Sequence, residues 1–108
     1  PEQIPYALNR YAFEAKRHFG ILNDQLADRP YILGDDYTIV DMAAWAWARL
    51  VPFVLGDDAL PAMPHLSRLV DEISARPAAE RAIAIKDRHA FKTEMDEAAL
   101  RNMFPSNY

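Results

Sequence analysis

The residues best suited by type and spacing to do chemistry lie in LGDDYTIVDMAAWAWARL, residues 33–50. Asp35, Asp36 and Asp41 fall within seven positions there, and such a cluster could hold a hard cation or trade protons. The spacing argues against a metal, because Asp35 and Asp36 are neighbours in a turn and no calcium-loop pattern follows. Thr38 and Asp41 instead form T-x-x-D directly ahead of an apolar run, the pattern of a helix capping box with Asp in place of Glu. The Thr38 hydroxyl is expected to accept from the Asp41 amide, and the Asp41 carboxylate from the Thr38 amide. Tyr37 and Met42 stand at the staple positions around them. A first-turn carboxylate also complements the helix dipole. These acids read as structural.

Other reactive types are scattered. His18, His65 and His89 have no metal-ligand spacing, and Ser67, Ser74 and Ser106 have no nucleophile-elbow context. The chain has no cysteine, which excludes a thiol nucleophile and thiolate metal sites within it, and its three glycines form no phosphate loop. No catalytic residue and no metal site is assigned. One constellation stands apart: Tyr6, Arg10, Phe13 and Arg17 recur at helical spacing. Aromatics alternating with arginines suit contact with another domain, a partner chain or an anionic ligand. Surface aromatics with aliphatic stems packed on them account for the same pattern, so both readings stand at this point.

The elements that must position these residues are helical. Over residues 4–28, Leu8, Ala12, Ala15, Phe19, Leu22 and Leu26 form an apolar stripe on one helix face, with the Tyr6/Arg10/Phe13/Arg17 face about half a turn away. The helix is expected to end near Asp28, ahead of Arg29-Pro30. From Thr38 to Leu55 a second helix is apolar almost all round, so it is expected to be central and buried, with Pro52 kinking or ending it. Core packing is expected for both Trp45 and Trp47. A third helix from about Pro64 carries Leu66, Leu69, Val70 and Ile73 on one face, and a fourth runs from Pro77 to about His89. A last amphipathic stretch covers 93–103. The fold class is all-α: a bundle of four main helices plus a C-terminal helix or tail.

Composition bounds the rest. The chain is 108 residues long, the size of one domain, and its net charge of −4 with no basic stripe argues against nucleic acid as a partner. The longest apolar run, 39–55, is interrupted by Asp41, Arg49 and Pro52, so no membrane span is expected. The start is no signal peptide. PEQIP, without an initiator Met, reads as the interior of a longer chain.

YILGDDYTIVDMAAW resembles the signature of the glutathione transferase C-terminal domain, in which a Leu/Gly turn leads into a Ser/Thr-x-x-Asp cap of the central helix. MPHLSRLVDEISARPAAERA is similar to the helix pair that follows in that family. The resemblance covers residues 1–108. IPYALNRYAFEAKRHFGILNDQLADRPYILG and the two tryptophans also resemble the bacterial nu-class, disulfide-bond oxidoreductase-like members, although their Trp-Pro-Trp reads Trp45-Ala46-Trp47 here. The resemblance implies glutathione as co-substrate and a small electrophile or a disulfide as substrate. It places Arg10 at the arginine that contacts glutathione, and a guanidinium fork suits a carboxylate. It further implies a cytoplasmic homodimer. The N-terminal thioredoxin-like domain that activates the thiol is absent from these residues, so the segment alone is expected to be inactive. In the family, a C-terminal tail can fold over the active site. A non-catalytic protein-interaction module and a plain structural bundle are the alternatives.

Overall fold

The structure, a computed structural model, describes residues 3–107; the first two residues of PEQIP and the final Tyr108 lie outside them. The helices are α1 (Pro5–Gln25), α2 (Ile39–Ala48), α3 (Val51–Leu55), α4 (Pro64–Ser74), α5 (Pro77–Ala84) and α6 (Glu97–Met103), with 3-10 turns at Ile85–Arg88 and Pro105–Asn107. Among the described residues the only β pairing is an isolated Tyr31–Gly34 bridge, so the fold is all-α. They divide into two compact units between Arg76 and Pro77.

In the first unit the core is built around α4. Leu66, Leu69, Val70 and Ile73, at the expected helical spacing, are all buried, joined by Leu26, Trp45, Ala48 and Val51. Helix α4 packs on α1 and α2, while α3 packs on α1. Pro64 starts α4 without an amide to satisfy. The next two amides, of His65 and Leu66, donate to Asn23 Oδ1 of α1 at 3.0 and 3.3 Å. One helix thus caps another across the core, which offsets two of the orphan donors at its start.

Helix α1 ends at Gln25, three residues short of the expected boundary. Gln25 Nε2 donates to the Ile32 carbonyl at 3.0 Å and ties the helix exit to the following turn. There the Tyr31 and Gly34 backbones exchange two hydrogen bonds, with Gly34 at φ +129, a conformation that favours glycine. The apolar stripe of α1 is graded: Leu26 is 1% exposed but Leu8 is 56% exposed. The neighbouring helices cover the C-terminal end of the stripe and leave its start open.

The second helix departs further from expectation. It breaks after Ala48, and Pro52 falls in the first turn of α3. It buries only a narrow arc, Asp41, Trp45 and Ala48, at spacings of four and three. Ile39 is 78% exposed, Trp47 71% and Phe53 91%. Expected burial all round is therefore corrected, and so is core packing for Trp47. The physical reason is that this unit supplies neighbours on one side only, α4 for α2 and α1 for α3.

In the second unit, α5 runs into the Ile85–Arg88 turn, close to the expected end at His89. Asp96 caps α6 by accepting from the Ala99 amide at 2.9 Å. Met95 lies ahead of that helix, and Phe91, Met95 and Met103 are exposed.

Candidate functional site

The exposed face of α1 carries the charged constellation. A regular helix of 21 residues holds Tyr6, Arg10, Phe13 and Arg17 on neighbouring turns, all solvent-exposed. Between them sits Glu14, a residue absent from the sequence-based site. Arg10 Nη1 donates to Glu14 Oε1, and Arg17 Nε donates to Glu14 Oε2 at 2.9 Å. One carboxylate thus takes a guanidinium on each oxygen. Hydrogen bonds from Arg17 first, then Arg10, hold the Glu14 carboxyl below its ordinary value. Arg17 Nη2 also lies 3.1 Å from His18 Nε2. Glu14 was legible in principle, because it stands four residues after Arg10 and three before Arg17.

On the other side of α1 from this face, a groove of about 390 Å³ runs between α1 and α3, lined by Ala7, Leu8, Asn9, Tyr11, Ala12 and Val54. Its walls are mainly apolar, and exposed Val54 of α3 forms one of them. A second hollow, at the exit of α1, is lined by Leu26 to Pro30, His65 and Arg68. Its cations are engaged locally: Arg29 pairs with Asp28 at 2.8 Å, and Arg68 Nη2 donates to the carbonyls of Arg29 and Pro30 at 3.2 and 3.0 Å. That hollow is a braced turn.

The aspartates of 33–50 separate. Asp35 and Asp36 are exposed in the turn. Asp41 is fully buried. Its Oδ2 accepts from the Thr38 amide at 2.8 Å and from the Thr38 hydroxyl at 3.1 Å, while its Oδ1 accepts from the Ile32 amide at 2.8 Å. The capping box is complete, with the Val40 amide donating to the Thr38 hydroxyl at 3.2 Å. The bond to Ile32 had no local signal, because it joins residues nine apart through a turn. Tyr37 lies against Tyr31 (5.4 Å between ring centres) and under Arg76 (3.9 Å), and its staple neighbour Met42 stays half exposed. No group of three or more acidic or histidine side chains among the described residues could hold a metal ion.

Comparison with known proteins decides the family. The family described as "Glutathione S-transferase, C-terminal domain" matches residues 11–77, more than half of the chain. The chain belongs to the glutathione S-transferase C-terminal domain family. The match begins one residue after Arg10 and ends at Pro77, the first residue past the first compact unit.

Three bacterial relatives add detail to that membership. An "Uncharacterized GST-like protein" of Streptococcus mutans is 41% identical over 91 residues, covering 79% of this chain and 35% of the relative. "Disulfide-bond oxidoreductase YghU" of Escherichia coli is 42% identical over 88 residues, covering 75% of this chain and 30% of the relative. "Disulfide-bond oxidoreductase YfcG" of the same organism is 34% identical over 83 residues, covering 77% and 38%. The chain therefore spans about a third of the length of these curated relatives.

Proposed function

We propose that this chain is the C-terminal helical domain of a glutathione-dependent enzyme that reduces disulfides, or transfers glutathione to a small electrophile. The observation that carries the reading is the 42% identity to a protein named a disulfide-bond oxidoreductase, within a family named for glutathione. In the intact enzyme, glutathione is a substrate, and an upstream thioredoxin-like domain supplies the group that activates its thiol. These residues bind and position. Arg10 stands exposed beside Tyr6 and Phe13, so its guanidinium can reach a glutathione carboxylate while the rings flank the peptide backbone.

The uncovered side of α2 and α3 supports a missing neighbour. Ile39, Trp47 and Phe53 are bare apolar side chains on these helices, the kind of surface that marks an interaction site. In this reading the thioredoxin-like domain covers it, and the Tyr6/Phe13 face contributes to a homodimer. A cytoplasmic setting supplies the reduced glutathione that the chemistry consumes.

Arg10→Ala in the intact protein is the test. Loss of a charge-assisted hydrogen bond typically costs about 1.5–3 kcal/mol, so glutathione affinity should fall about ten- to a hundred-fold. Unchanged affinity by calorimetry would remove Arg10 from the site. This segment alone is expected to show no glutathione-dependent reduction of a small disulfide; turnover by it would overturn the division of labour. Solution scattering from the intact protein checks the dimer.

A further inference from the structure

We propose that Glu14 is a positioning residue for Arg10, holding the guanidinium in the conformation that receives a ligand carboxylate. The inference rests on the reading of Arg10 given above and goes beyond it, because nothing in that reading requires an acid on this face.

The geometry carries it. Arg10 and Arg17 stand seven positions apart on α1, nearly two helical turns, and Glu14 bridges the gap by giving one oxygen to each. Glu14 is the least exposed of the three side chains, at 26% against 56% for Arg10 and 48% for Arg17. It therefore acts as the fixed member, with the longer arginines laid against it. Among the described residues, Glu14 is the hydrogen-bond partner of Arg10, and it engages only the Nη1 end. A guanidinium has five N–H donors, so the rest of the fork stays available to an incoming carboxylate.

An untethered exposed arginine samples many rotamers, and a ligand must quench much of that freedom on binding. A tether at one end removes part of that loss in advance, which is how preorganisation raises affinity. There is an opposing effect. Glu14 offsets one of the two positive charges, so its removal strengthens the field drawn by an anion. The conservative variant separates the two, because Glu14→Gln loses the charge just as Glu14→Ala does but keeps an acceptor for the guanidinium, so a difference between the two variants belongs to the tether.

The experiment measures glutathione Kd by calorimetry on the intact protein at about 0.15 M and 1 M salt. The variants are Glu14→Ala, Glu14→Gln and Arg10→Ala. Positioning predicts that Glu14→Ala binds glutathione about three- to five-fold more weakly at the lower salt concentration, the scale of one exposed ion pair, with the gap narrowing at 1 M as the tether is screened. Glu14→Gln, which keeps an acceptor at the same reach, recovers part of the loss. In the double variant Glu14→Ala/Arg10→Ala, the effect of Glu14 disappears, because it acts only through Arg10. If Glu14→Ala binds as well as or better than the parent while Arg10→Ala is impaired, the positioning role is wrong and the Arg10 reading survives. If Arg10→Ala binds normally, both fall.

Discussion

Two carboxylates in the first unit have the same formal job and opposite surroundings. Asp41 and Glu14 each use both oxygens as acceptors, and each joins parts of the chain. Asp41 is fully buried, and its partners are the uncharged amides of Ile32 and Thr38 with the Thr38 hydroxyl. Glu14 sits on the surface, and its partners are two cations. Neutral backbone donors around a buried acid cannot leave without stranding N–H groups away from water, so that arrangement fixes a fold. Charged donors around an exposed acid can exchange with water or with another anion at little cost, so that arrangement can serve binding. Burial and partner type thus separate an acid that fixes the fold from one that is free to exchange partners better than charge or sequence clustering does.

The largest expected effect comes from breaking the buried half. Asp41→Ala leaves the Ile32 and Thr38 amides without their acceptor and also removes the helix cap. Stranded amides cost about 1–3 kcal/mol each and a lost cap about 0.5–2, so a destabilisation of about 3 kcal/mol or more is expected in urea melts. Asp41→Asn, which keeps one acceptor oxygen, should lose about half as much. Glu14→Ala should shift the same melt by under about 1 kcal/mol. Equal losses at the two positions would remove the distinction.

A buried donor with a single partner is the next test. Trp45 Nε1 donates to Ser74 Oγ at 2.9 Å and links α2 to the end of α4. Ser74→Ala should cost about 1–2 kcal/mol, with Trp45 emission shifting once exposed Trp47 is replaced by Phe. No shift, with unchanged stability, would show that a buried donor here is satisfied elsewhere.

Local patterns in the sequence foretold the parts of this molecule that depend on local physics. The α4 stripe and the T-x-x-D cap each follow from spacing within a few residues, whereas the helix expected to kink or end at Pro52 breaks earlier, after Ala48, and Pro52 opens α3 instead. The ends of the Asp41 and Asn23 networks do not: Ile32 reaches Asp41 through a turn, and Asn23 reaches His65 and Leu66 across 42 and 43 positions. Hydropathy also misjudged α2. An apolar helix signals that all its sides will be covered, but it does not say by which part of a protein, and here one side is left bare. The same gap affects the site. Spacing located the Arg/aromatic face of α1, whereas its use for glutathione came from family resemblance alone.

Asp96 lies between the two extremes and sharpens the comparison at smaller scale. It caps α6 through the Ala99 amide as Asp41 caps α2, yet it is exposed and pairs with Lys92 at 2.6 Å as Glu14 pairs with arginine. Asp96→Ala should fray α6 at about 1 kcal/mol, read as faster exchange of the Ala99 amide. Asp96→Asn keeps an acceptor for the cap and loses the ion pair, so it should retain most of the protection. Equal loss in both variants would make the ion pair the main support.

The smallest effect is pH dependence, and its sign follows from which way each group is shifted. Glu14 is lowered by hydrogen bonds from Arg17 and Arg10, Asp28 by Arg29, and Asp96 by Lys92 and the Ala99 amide. A carboxyl that binds its proton less readily when folded adds stability above its unfolded value. That contribution is lost as pH falls through the lower folded value. Unfolding midpoints in urea should therefore be level from neutral pH down to about 5 and then decline into the acid range. Tyr31 runs the other way. Its hydroxyl donates to Glu72 at 2.5 Å, and that bond, with burial and the Glu72 charge, raises it. Its contribution is complete below the ordinary tyrosine value of about 10 and is lost as pH rises through the folded value. Glu14→Gln should remove only its own small share of the acid limb, and 1 M salt should shrink that limb further, since the ion pairs of all three acids lie at the surface. An acid limb unchanged by both treatments would show that these surface ion pairs are not its source.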